Sequence, residues 1–144
     1  MTNKKIKELN SKYVKFNIDE NNILCLSFKV EHISLEIAKE ITKERLEFTN
    51  GQDTNMYVEV TTLKSIDKTA RDYFSSNEGN EKLKAVAIFT NSKLSFFLAN
   101  FLLKVNFQIC TIPVKIFTEK EKALAWLKNI NTISDEKNRK KLYV

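Results

Sequence analysis

Glycine and proline are nearly missing from this chain: two glycines, Gly51 and Gly79, and one proline, Pro113, in 144 residues. Loops must therefore be short, and turn chemistry falls to Asn, Asp and Ser. No glycine-rich phosphate loop can be assembled. Cysteine is equally sparse. Cys25 and Cys110 both lie in apolar, strand-like runs and are read as buried free thiols, with no disulfide framework. A single histidine, His32, has no cysteine or second histidine beside it to complete a metal site. The longest apolar stretch runs only from Leu94 to Val105, short of the ~20 residues a membrane-spanning helix needs. Met1 to Lys12 is polar and lysine-bearing, without the apolar segment of a signal peptide. A cytoplasmic location is the expectation.

What is present is ordinary globular material, 42% hydrophobic and 29% charged, enough for one domain with a core of its own. The formal charge of +6 invites a nucleic-acid reading. Most of it sits at the ends: Lys4, Lys5, Lys7 and Lys12 against Glu8, and Lys137, Arg139, Lys140 and Lys141 against Asp135 and Glu136. The part between is nearly neutral, whereas a nucleic-acid binder carries a basic stripe on its folded surface. Nucleic acid is therefore not an expected partner. The organisation reads as a basic polar segment over 1–12, one domain over 13–132 and a basic tail over 133–144.

Period-two alternation from Tyr13 to Ile18, a turn at Asp19-Glu20-Asn21-Asn22 and a second run from Ile23 to Val30 predict a hairpin. From Ser34 the period changes: Ile37, Ile41, Arg45 and Phe48 recur at helical spacing, and Asn50-Gly51 supplies the C-terminal cap. Met56 to Thr61 is a third strand. A shorter helix follows, with Asp67 as N-cap. Ala85 to Phe89 is an uninterrupted apolar strand of the kind buried on both faces. A third helix from Ser92 to about Val105 leads to a fifth strand, Cys110 to Phe117, where Pro113 suggests an edge position. Thr118-Glu119-Lys120-Glu121 opens a last helix whose core face is Ala123, Leu124, Leu127 and Ile130. The order ββαβαβαβα predicts a single α/β domain: a mixed five-stranded sheet with four helices and right-handed crossovers in its parallel part.

Chemistry is harder to find. His32 reads as a surface or loop histidine. Glu36, Glu40, Glu44 and Glu47 mingle with Lys39, Lys43 and Arg45 along one helix, a pattern of i, i+4 pairs that describes a solvated face. Neither a Ser-His-Asp nor a Cys-His arrangement can be assembled, and no enzyme activity, metal or cofactor is expected. Two features stand out. One is the turn from the third strand into the second helix, Thr61 to Arg71. The carboxyl ends of strands and the helix N-termini after them favour recognition of an anionic group. A phosphate on Thr69 or Ser65 would meet those donors, and Asp67, Lys68 and Arg71 complete the candidate contact set. The other is the helix from Ser92, in which Leu94, Phe96, Phe97, Leu98, Ala99, Phe101, Leu102, Leu103 and Val105 make it apolar nearly all round. Phe96 and Leu103 remain looking away from the sheet, toward a neighbouring helix, a second subunit, a partner protein or a lipid-like ligand.

The element order, the Asp67-Lys68-Thr69-Ala70 helix start and the ending Lys115 to Leu127 with its Ala-x-x-Trp-Leu face resemble STAS domains and the similar SpoIIAA-like proteins. The resemblance covers about Tyr13 to Asn131. It implies the fold of anti-sigma-factor antagonists, in which the matching helix start reads Asp-Ser-Ser-Gly and its second serine is phosphorylated by a partner kinase. Here Lys68 and Thr69 replace the serines and Ala70 the glycine, so Thr69 falls at the phosphorylated position. The resemblance also implies hydrophobic ligands in some related proteins. The expected function is a non-enzymatic regulatory module working through protein contacts, with an unknown protein partner or a homodimer. Its contact surface combines the turn after the third strand with the adjoining apolar helix. The alternative is a small carrier of a hydrophobic ligand lined by Phe96, Phe97, Phe101 and Leu102.

Overall fold

The structure, a computed structural model, describes residues 7–94, 96–97 and 112–130. Its centre is the hairpin of β2 (Val14–Ile18) and β3 (Leu24–Phe28), paired antiparallel with Phe16 opposite Leu26. Asp19 closes the turn, its Oδ1 accepting the N–H groups of Asn21 and Ile23 at 2.9 Å each. Asn22 takes the left-handed φ of 62° that asparagine tolerates. An edge strand β1 (Glu8–Asn10) adds to β2, so the sheet begins before Tyr13.

On the other side of the hairpin the strands run parallel: β5 (Thr54–Glu59) beside β3, then β7 (Leu83–Phe89), then β8 (Val114–Phe117). The sheet order is β1-β2-β3-β5-β7-β8, six strands where five were expected. Pro113 precedes the edge strand β8, as a residue without an N–H to donate should. Residues 110 and 111 of the expected fifth strand, Cys110 among them, lie outside the described residues. A separate two-stranded parallel sheet joins β4 (His32–Ile33) to β6 (Ser65–Ile66), a pairing that no periodicity signalled.

Four helices were expected, and the described residues hold three: α1 (Leu35–Phe48), α2 (Lys68–Ser75) and a closing helix over 120–130. Of the expected Ser92–Val105 helix, backbone is helical at 93–94 and 96–97, with the remainder outside the described residues. Ser34 caps α1 by accepting the Ile37 N–H at 3.3 Å, and Gly51, with φ of 68°, donates back to Leu46 at 3.0 Å to end it.

The two faces of the sheet bury different cores. Phe16, Leu26, Val58 and Val86 pack under α1 with Ala38, Ile41 and Phe48. Tyr57, Ala85 and Ala87 pack under the closing helix with Ala123 and Leu127. Successive residues of β7 thus serve opposite faces, as the apolar run of that strand requires.

Candidate functional site

Three backbone hydrogen bonds and one ion pair clamp the segment after β3 to the segment after β5. Lys64 and Ser65 donate their N–H groups to Glu31 O at 2.7 and 3.1 Å, and Asp67 donates to Ile33 O at 2.9 Å, while Leu63 turns the second segment by donating to Val60 O at 3.0 Å. The Lys64 ammonium sits 3.2 Å from the Glu31 carboxylate. This clamp sets His32 directly opposite Ser65 in the parallel β4–β6 register. Side chains of registered partners share a face, and the His32 Nδ1 to Ser65 Oγ distance is 2.6 Å. The other ring nitrogen, Nε2, lies 3.1 Å from Asp67 Oδ1.

A serine, a histidine and an aspartate therefore meet, with His32 hydrogen-bonded to Ser65 and in close contact with Asp67, contrary to the expectation that no such set could be assembled. His32 lies at the surface, in a two-residue strand, and its ring joins Ser65 and Asp67 of the candidate turn. The missed signal was its position at the head of β4, since only the register of two distant dipeptides brings it to Ser65. Asp67 occupies the N-cap position of α2, yet its side chain makes no capping hydrogen bond; its carboxylate turns to the histidine instead. The ring and the carboxylate are each about half exposed, at 50% and 48%, so their attraction is screened by water.

The remaining members of the set divide. Lys68 and Thr69 are exposed on the first turn of α2, and Lys68 pairs with Asp72 at 3.3 Å, one turn on. Arg71 and Ile66 look the other way, into the wall of a cavity of about 170 Å³ between α1, α2 and the sheet. Of the expected apolar contact residues, Phe97 is 68% exposed and Phe96 38%, with Leu94 beside them at 49%. Phe101, Leu102 and Leu103 lie outside the described residues.

The cavity was not expected. Met56 and Val58 of β5, Val86 and Ile88 of β7, and Ile41 and Phe74 of the helices form much of its wall. Among these apolar groups stands Arg45, expected on the solvated face of α1 and found 3% exposed. Its spacing with Ile41 and Phe48 carried the correct signal, which its charge concealed. The guanidinium Nη2 reaches Gly79 O at a long 3.4 Å, and Nη1 has no hydrogen-bond partner among the described residues. Burial pushes the group down to about 10, while Tyr73 and Glu81 pull in the opposite direction. It is still a cation at neutral pH.

Gly79 is fixed by the same packing: a Cβ there would stand 2.0 Å from the Tyr73 carbonyl oxygen. Among the described residues no group of three or more His, Cys, Asp or Glu could hold a metal ion, and no helix is long and apolar enough to cross a membrane.

Comparison with known proteins agrees on the fold and leaves the activity open. A crystal structure of an uncharacterized protein from the DUF3478 family with a SpoIIAA-like fold, from Shewanella loihica PV-4, superposes with a TM-score of 0.59. It covers 88% of this chain and 98% of its own, at 17% identity, which carries the fold alone. The expected SpoIIAA-like α/β architecture is thereby found; the narrower STAS membership is not what the sequence matches. No curated protein matches the sequence. One family model spans residues 16–131. The chain belongs to that family, described as Domain of unknown function (DUF7793).

Proposed function

We propose that the chain is a non-enzymatic regulatory module that works by protein contact, through the exposed surface formed by His32, Ser65, Asp67 and Thr69. The observation that carries this reading is the His32–Ser65–Asp67 chain, clamped by backbone hydrogen bonds yet open to solvent. A nucleophile relay works in a water-excluded site with donors aimed at the developing oxyanion. Here the half-exposed ring and carboxylate lie outside the cavity wall, and Ser65 faces away from the cavity that its neighbour Ile66 lines. Such a surface presents fixed polar groups to a partner, and the exposed Leu94, Phe96 and Phe97 supply apolar area for a contact. Thr69, exposed in the first turn of α2, is the hydroxyl at which a phosphate would change that surface most.

A photo-crosslinking residue in place of Lys68, compared with one in place of the exposed Glu20, tests the reading in the source cells. A discrete adduct from position 68 alone, weakened by Asp67→Ala and altered by Thr69→Glu, is the expected result. Indistinguishable adducts from the two positions would overturn it. The carrier reading has an observation of its own in the cavity beneath this surface, whose described lining includes neither Phe96 nor Phe97.

A further inference from the structure

A buried arginine in a protein interior is normally saturated with hydrogen bonds or paired with a carboxylate, because a desolvated charge left alone is destabilising. Arg45 has neither: one long contact to Gly79 O, no ion pair among the described residues, and an unpartnered Nη1. Yet the cation is retained next to an apolar cavity whose described lining contains two arginines, Arg45 and Arg71, and no aspartate or glutamate.

We propose that this cavity binds a small amphipathic carboxylate, with the Arg45 guanidinium holding the carboxylate and the sheet-side wall of Met56, Val58, Val86 and Ile88 holding the apolar body. The two halves of the site are complementary to the two halves of such a ligand. A neutral hydrophobe would leave Nη1 unpaired, and a bare inorganic anion would leave the apolar wall unfilled. Charge-assisted pairing of guanidinium with carboxylate is the strongest single contact the unpartnered guanidinium nitrogen can make. Size limits the body: a dry cavity of ~150 Å³ accepts a benzene-sized molecule, so one of about 170 Å³ suits a body of about six to eight carbons.

The site is distinct from the exposed polar chain at His32, and its test involves no partner protein. Thermal denaturation of the full chain is followed with sodium octanoate, with octan-1-ol, and with sodium chloride at matched ionic strength. Octanoate at about a hundredfold excess over its dissociation constant is expected to raise Tm by about 5 °C or more, and octanol and salt to have little effect. Arg45→Met is expected to lose the octanoate response, and Ile88→Trp, which fills the cavity while keeping the cation, to lose it as well. Equal shifts with octanoate and octanol, no shift with either, or a full octanoate response in Arg45→Met would overturn the proposal. If Arg45→Met does not fold, the octanoate-to-octanol contrast in the wild-type chain and the Ile88→Trp variant decide it.

Discussion

Both faces of the sheet bury polar groups, but among the described residues only the face under α1 buries a charged side chain. On the closing-helix side the Cys25 thiol is pushed up to about 11, first by burial and then by Asp19, against the pull of Lys120. The Tyr57 phenol is pushed further up, again first by burial. Both groups are neutral at physiological pH, and the core there is closed with small residues, Ala85, Ala87 and Ala123, around Leu127. On the α1 side the same physical cause moves Arg45 down only to about 10, so a full charge stays in an apolar surround beside an unfilled space. The first face is built for stability. The second gives up stability at one residue, the pattern expected where a ligand supplies the missing counter-charge.

Truncating each face should break the comparison in different ways. Leu127→Ala, at a site with no exposed surface, is expected to destabilise by about 3 kcal/mol or more in urea unfolding. A loss below about 1 kcal/mol would mean that the closing helix is not the lid of a packed core. Gly79→Ala should follow at about 2 kcal/mol, because its Cβ meets backbone, the Tyr73 carbonyl oxygen, and not a side chain that can swing away.

Arg45→Met has the opposite sign. Without ligand it should be neutral or stabilising by about 1 kcal/mol at pH 7, since it removes a buried charge that has no ion pair among the described residues and keeps the volume. The pH dependence sharpens this. Burial lowers the folded guanidinium to about 10, below its value in the unfolded chain, so between the two the unfolded chain binds more protons and the wild type gains stability as pH rises. The advantage of Arg45→Met should therefore shrink above about pH 10. A large loss of stability at pH 7 would show that the arginine is a structural strut. Smallest of all is His32→Ala, expected to change stability by less than about 0.5 kcal/mol because the pair it breaks is half exposed. A larger effect would make the β4–β6 clamp depend on side chains, not on its backbone bonds.

The strands were legible because alternation and β-branched runs directly record burial: β2, β3, β5 and β7 fall where Tyr13 to Ile18, Ile23 to Val30, Met56 to Thr61 and Ala85 to Phe89 placed them, within a few residues. The helix ends were legible where a cap makes a specific bond, as at Ser34 and Gly51. Residues 8–10 were not, because a lysine-bearing polar segment gives no apolar signal and the strand is held by pairing to β2 and a side-chain bond from Lys29 to Asn10. The polar site was half legible. The turn at Ser65 to Thr69 announced itself by its place in the fold, but the residue whose ring joins Ser65 to Asp67, His32, arrives through a two-residue parallel pairing across 33 positions of chain. Arg45 shows the reverse failure: periodicity placed it inward and charge argued it outward, and periodicity was right.

The most direct test of a cation held in reserve beneath the contact surface is an intermolecular nuclear Overhauser measurement. The protein carries labelled Val and Ile methyl groups and labelled Phe rings, and the ligand is octanoate. Cross-peaks from the octanoate chain to Val58, Val86 and Ile88, absent in Arg45→Met, are the expected result. Cross-peaks confined to aromatic protons of the exposed Phe96 and Phe97, or none at all, would contradict it.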